Sequence, residues 1–203
     1  MNNHNSIRVG QVLSPATQQD LTEFLRLDLD DCENLQIYLD TATSAVISYL
    51  GLALLDQDFI FAIDGYPYSG TPTTGLANSA VRYQNWIDLP YSNITTDLEV
   101  NTIDKYGNET LVDAEDYVLD TLSIPNRVRF INLAFLSEEG RLKFTYKTGY
   151  GNDSEDVPNA IRLGILQVAG YLYEHRGECT PAEAVSASGA GMALQPFKVM
   201  TKL

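Results

Sequence analysis

The sequence predicts an α+β fold: a helical bundle of N- and C-terminal helices, an inserted antiparallel β subdomain and a flexible C-terminal tail. Three observations carry this. Apolar residues recur at helical spacing before residue 51 and again after residue 157. Between about 54 and 148 the period drops to two. Beyond Gly177 the composition turns to Ala, Ser and Gly. The expected divisions are N-terminal core helices over 14–53, the β insertion over 54–148, a C-terminal core helix over 149–176 and an extended docking tail over 177–203.

Ser14-Pro15 has the chemistry of a helix start, because serine can accept from free backbone N–H groups and proline suits the first turn. Leu21, Phe24 and Leu25 follow at helical spacing. A longer helix is expected after Asp30-Asp31, with Leu35, Tyr38, Leu39, Ala42, Val46 and Tyr49 on one stripe and Gly51 as its stop. Phe59, Phe61 and Ile63 then alternate as a strand into the turn Asp64-Gly-Tyr-Pro67. Residues 68–85, rich in Gly, Ser, Thr and Asn, read as a long surface loop. Trp86 to Pro90 reads as an edge strand, since proline cannot donate to a central ladder. Leu98 and Val100 begin a strand that turns at Lys105-Tyr-Gly-Asn108 and returns through Leu111-Val112. Strands are also expected at Tyr117–Leu119, Val128–Ile131 and Leu142–Tyr146. In the last, Arg141, Lys143, Thr145 and Lys147 form a wet, basic face. The turn Gly149-Tyr150-Gly151 leads through Pro158 into a helix over about 157–176. Ile161, Ile165, Val168 and Leu172 make one apolar stripe on it. Leu163, Leu166, Gly170 and Tyr173 spread apolar character around the cylinder, so the helix needs neighbours on more than one side.

The 203 residues suit one ordinary domain or a core with an insertion, and 44% hydrophobic content is that of a globular chain. No apolar run approaches the ~18–20 residues of a membrane span. The first residues, Met1-Asn-Asn-His-Asn-Ser6, lack the layout of a secretion signal, so the default compartment is the cytosol. Cys32 and Cys179 lie far apart, which disfavours a disulfide framework. The net charge of −14 disfavours binding to nucleic-acid phosphates and suits a wall along which DNA slides without sticking.

Catalytic and metal chemistry find no foothold, and no cofactor is expected. Asp28, Asp30, Asp31 and Glu33 fail the calcium-loop pattern, because Glu33 and Leu39 stand where glycine and a carboxylate are required. Acids there suit a helix start. His175 and Cys179, with Cys32 and His4, make a poor zinc set. Neither histidine sits beside an activated serine, and Gly149-Tyr-Gly151 lacks the lysine and hydroxyl of a phosphate loop. The tail is the exception. Met192, Leu194, Phe197, Val199 and Met200 are large apolar groups in a small-residue context, either folded back on the core or held as a docking peptide.

Several segments in order resemble the head–tail connector (adaptor, or head-completion) family of tailed bacteriophages, in its larger form with a β insertion. Leu25-Arg-Leu-Asp-Leu-Asp-Asp31 is similar to the family's opening pattern, and Tyr49-Leu-Gly51 with Leu54-Leu55 to the exit from its long helix. Ile63-Asp-Gly-Tyr-Pro67, Ile87-Asp-Leu-Pro90 and Asp116-Tyr-Val-Leu-Asp120 resemble landmarks of the insertion. Thr148-Gly-Tyr-Gly151, Val157-Pro158 and Tyr173-Glu-His-Arg176 form the most specific match, and Ala193-Leu-Gln-Pro-Phe-Lys-Val199 resembles the closing segment. The resemblance runs from about 14 to 199. It departs from the pattern in a longer 68–85 loop, a missing second proline after Leu89-Pro90 and a generous spacer at 177–191.

The resemblance implies a structural virion protein of the neck, assembled in the host bacterial cytoplasm. It would form a ring, twelvefold like the portal, that sits beneath the portal protein, extends the DNA channel and meets a stopper or tail-terminator protein. DNA would pass through the lumen without specific binding, and no membrane is involved. On this reading Met192, Leu194, Pro196, Phe197, Val199 and Met200 form the docking tail. Leu163, Leu166, Tyr173, Tyr38 and Tyr49 pack helices between subunits, and Gly149, Tyr150, Gly151 and Pro158 form a structural turn. The alternatives are a stopper or tail-completion protein of the same neck, or a small ligand-binding α+β domain.

Overall fold

Five α-helices and two antiparallel sheets among the described residues make the protein a mixed α+β fold. The computed structural model describes residues 4–9, 13–27, 34–64, 86–91, 93–95, 98–131 and 140–199. The 68–85 loop, the turn after Asp64, the acidic run 28–33 with Cys32, and Met200 lie outside the described residues. The chain divides into a β unit (1–9, 57–148 and 201–203) and a helical unit (10–56 and 149–200).

In the helical unit, α1 (Gln18–Leu25) starts at Thr17 rather than Ser14. Thr17 Oγ1 accepts from the Asp20 N–H, and the Asp20 carboxylate accepts from the Thr17 N–H in return. Ser14 instead accepts from Thr43 Oγ1 at 3.0 Å, as a link to the next helix. That helix, α2 (Leu35–Leu50), buries Leu35, Leu39, Ala42 and Val46 of the expected stripe together with Ile47 and Leu50, leaves Tyr38 and Tyr49 half-buried, and ends at Gly51, whose φ of 69° suits glycine. α3 (Asn159–Glu174) packs on α2 and buries Ile161, Ile165, Val168 and Leu172.

The segment expected to be extended is not. After Gly177 the chain forms α4 (Pro181–Ala187) and α5 (Ala190–Leu194), followed by a 3-10 turn over Gln195–Phe197. Thr180 and Glu183 close a reciprocal capping box at the start of α4, with Pro181 in its first turn. Ala184, Val185, Ala190, Leu194 and Val199 are buried. The alanines of this spacer are strong helix formers whose small side chains permit close packing, so a composition resembling a linker encodes two short helices.

In the β unit the larger sheet runs β1-β2-β8-β4-β5. β1 (His4–Val9) pairs with β2 (Gln57–Asp64), which pairs with β8 (Arg141–Thr148). β8 pairs in turn with β4 (Glu99–Ile103), and β4 with β5 (Glu109–Leu111). The sheet is therefore completed by an N-terminal strand from outside the expected insertion. Its short, polar sequence carries little period-two signal. The smaller sheet runs β3 (Ile87–Asp88), β7 (Arg127–Phe130), β6 (Tyr117–Asp120). β3 is an edge strand, and Pro90 lies just beyond its end. Leu142, Phe144, Tyr146 and Thr148 are buried while the alternate residues of β8 are not, which sets that strand's inner face. Phe130 meets Phe144 at 6.4 Å between ring centroids and so joins the two sheets.

Candidate assembly surfaces

The structural turn lies in the helical unit. A Cβ on Gly149 would stand 2.5 Å from the Asp56 backbone nitrogen, so only glycine allows the two strands of backbone to approach. The approach is zipped by hydrogen bonds from Tyr150 N–H to the Leu54 carbonyl and from Asp56 N–H to the Gly151 carbonyl, both 2.9 Å. Burial raises the Tyr150 phenol above its ordinary pKa. Pro158 then stands at the N-cap position of α3. These residues hold two segments of backbone together.

Of the five residues expected to pack helices between subunits, three are engaged within the chain. The Tyr38 and Tyr173 rings meet edge to face, 5.6 Å between centroids. Arg176 lies 4.4 Å over the Tyr173 ring. Tyr49 donates from its hydroxyl to the Gly191 carbonyl at 3.2 Å, and Lys198 covers its ring at 4.4 Å. Leu166 is half-buried. Leu163 remains exposed on α3, and Ile37 is exposed on α2.

The C-terminal apolar residues split the same way. Leu194 is fully buried against α3 and Val199 is buried, its N–H bonding the Leu50 carbonyl at 2.8 Å. Phe197 is half-buried and Pro196 exposed. Met192 is 84% exposed. Helical periodicity over 190–194 is the signal that separates these residues: Ala190 and Leu194, four apart, face inward while Met192 faces out. Among the described residues no three His, Cys, Asp or Glu side chains stand together to hold a metal, and no helix is long and apolar enough to cross a membrane. His175 ends α3, its ring stacked on Tyr171 at 4.0 Å.

The β unit carries surface features that the sequence reading did not single out. At the β6–β7 turn the Asp120 carboxylate accepts from the Leu122 and Ser123 N–H groups, the Ser123 hydroxyl and Arg127 Nε. The Ser123 hydroxyl bond, first among these, holds the Asp120 carboxyl below its ordinary pKa. Asn126 braces the turn from the other side, donating to the Thr121 and Ser123 carbonyls and accepting from the Asn93 and Ile94 N–H groups. This rigid turn holds Leu122, 96% exposed, and Ile124, 78% exposed, in water. Beside it, Trp86 is flanked by the Arg127 and Arg129 guanidiniums, 4.5 and 5.0 Å from its ring centroid. An aspartate followed two to three residues later by serine, with asparagine further on, marks such a braced turn in sequence.

No family model matches the sequence, and no curated protein matches it. Solved structures do. The chain is similar to one in the neck of an empty gene transfer agent particle computed with C6 symmetry, at 19% identity and a TM-score of 0.72, covering 98% of this chain and 97% of that one. It is similar over the same shares to a chain in the virion of a native gene transfer agent particle, at 20% identity and a TM-score of 0.71. A chain from the neck of the native particle computed with C12 symmetry gives 19% and 0.65. The protein therefore shares, from end to end, the fold found in these particle chains.

Proposed function

We propose that this protein is a structural head–tail adaptor of a tailed phage or phage-like particle, working without catalysis or cofactor. Copies of it form a ring beneath the portal protein that continues the DNA channel and links the capsid to the neck and tail. The observation that carries this reading is the end-to-end likeness to chains of a gene transfer agent neck and virion, covering 98% of this chain and 97% of theirs. The sixfold and twelvefold symmetries of those necks favour a ring. The net charge of −14 suits a channel wall that DNA passes without specific binding.

The docking role falls on Met192, Pro196 and Phe197, since Leu194 and Val199 are occupied by the protein's own core. Exposed Leu163 and half-buried Leu166 on α3 are the remaining helix contacts for a neighbouring copy. A stopper or tail-terminator protein would meet the opposite side of the ring. Electron microscopy of the protein mixed with the portal protein of the same genome tests the reading. Ring density beneath the portal supports it. A bare portal across several salt concentrations overturns it in favour of another neck position, such as a stopper.

A further inference from the structure

We infer that residues 177–199 form an exchangeable arm, which each copy of this chain lays onto the α2–α3 surface of the next copy. What fits that surface is shown by the chain itself, whose own arm is seated there. Leu194 fills the space beside Gly164 of α3, where a Cβ would stand 2.9 Å from its Cδ2. The Tyr49 hydroxyl donates to the Gly191 carbonyl at 3.2 Å, and the Val199 N–H donates to the Leu50 carbonyl at 2.8 Å. Arm and seat both belong to the helical unit. Every copy carries the same seat, so an arm lifted from one fits the next with the same contacts, and exchange gives up no buried group.

The arm is built to move as one piece. Residues 175–180 join it to α3, and Arg176, Gly177, Glu178 and Thr180 among them are exposed. Gly177 has a φ of 80° with nothing within 4 Å of where a Cβ would stand, so this joint can turn without a clash. The bonds that close it are local, from the Glu178 N–H to the His175 carbonyl and from Arg176 Nε to the Tyr173 carbonyl. Beyond the joint the arm keeps its own shape, through the Thr180–Glu183 capping box and the packing of α4 on α5. Charge favours the exchange. Residues 177–203 hold Glu178 and Glu183 against Lys198 and Lys202, so this segment is neutral and residues 1–176 carry the whole −14. Copies so charged repel, and the neutral arm approaches a neighbour without adding to the repulsion. A joint of this length spans at most ~20 Å, which reaches an adjacent copy, and a short joint favours exchange because a longer one closes more freely on its own chain. Each copy gives one arm and receives one, a heterologous contact that can close as a ring. The ring rests on the adaptor reading, while the exchange stands on the arm, its joint and its seat.

A Cβ at Gly51 would stand 3.9 Å from the Val199 Cβ, a disulfide distance. The test uses full chains with Cys32→Ser and Cys179→Ser, mixed with the portal protein of the same genome, oxidised and imaged. A chain carrying both Gly51→Cys and Val199→Cys should bond within itself when dilute and free of portal, which checks the geometry. Two differently tagged chains, one with each substitution, should give a disulfide-linked heterodimer. A Gly-Ser insertion after Gly177 that doubles the joint should lower the heterodimer yield at least tenfold. No heterodimer where the double variant bonds overturns the exchange, as does a yield the longer joint leaves unchanged. A double variant that keeps its fold by circular dichroism and does not bond removes the seat and overturns it too. If Gly51→Cys costs the fold, Tyr49→benzoylphenylalanine replaces it: photo-cross-links to 189–199 of another copy support the exchange, and links confined to one chain overturn it. A ring beneath the portal without links between copies overturns the exchange and leaves the adaptor reading standing. Links between copies without a ring keep the exchange and remove the adaptor reading. Neither ring nor link overturns both.

Discussion

Leu194 of α5 fills the space beside Gly164 of α3 so closely that a Cβ on the glycine would lie 2.9 Å from its Cδ2. The C-terminal helix is thereby part of the helical core. Leu194→Ala removes a fully buried side chain and should cost about 2–5 kcal/mol, read as a lower urea midpoint at unchanged slope. Deleting residues 190–203 should unfold the helical unit rather than cleanly remove a docking peptide. An intact, equally stable truncated chain would show that α5 is dispensable.

Met192 occupies the opposite side of the same short helix and is 84% exposed. Met192→Glu should change stability by less than about 0.5 kcal/mol, since it leaves the core untouched. Under the adaptor reading the same variant should bind the portal protein at least tenfold more weakly in co-sedimentation. Unchanged binding would move the docking surface elsewhere.

Gly149→Ala places a methyl group 2.5 Å from the backbone of Leu55 and Asp56, where no side chain can turn aside. Separating those backbones breaks the pair of 2.9 Å hydrogen bonds around Tyr150 and should cost about 3 kcal/mol or more. Thermal unfolding checks it. The hairpin glycine Gly107, with φ of 88° and open space around it, should cost only about 1–2 kcal/mol as alanine.

The β6–β7 turn should respond to acid. Its Asp120 carboxyl is held below the ordinary value of 3.8 mainly by the Ser123 hydroxyl, then by Arg127 and the Leu122 and Ser123 N–H groups. A folded-state pKa below the unfolded one means the brace is fully present above 3.8 and is lost as pH falls through the folded value. The Leu122 and Ser123 amide resonances should therefore hold constant from pH 7 to about 5 and move together below 3.8. Asp120→Asn should abolish that acid transition.

The helical frame was legible because its stripes are long. Leu35, Leu39, Ala42 and Val46 repeat at a period no strand can use, and Gly51 supplies the stop. β8 was legible for the complementary reason, with four buried residues in strict alternation. β1 carries no such pattern because an edge strand is held by backbone hydrogen bonds that every residue can make. The start of α1 was misplaced by one cap: Ser14 and Thr17 share the same chemistry, and only Thr17 has a carboxylate three residues on to answer it.

The assembly residues show the limit most sharply. Spacing along a helix led to the expectation that Tyr38, Tyr49 and Tyr173 pack between subunits, but such spacing cannot say whether a neighbour is in the same chain. The fold answers it, placing Tyr38 on Tyr173 and Tyr49 on Gly191. Likewise Arg129 and Trp86 are 43 residues apart and meet only when β3 and β7 pair.

By itself, then, the sequence determined which segments are helix and which are strand wherever periodicity is long, where the chain turns at Gly51 and Gly149, and that the molecule is strongly acidic. These are local or additive properties, set by side-chain spacing and charge. The tertiary structure decided which apolar groups are core and which are surface, separating Leu194 from Met192, and which polar groups meet, placing Arg129 over Trp86. Burial and non-local pairing depend on how distant segments pack, and no count along the chain contains that information.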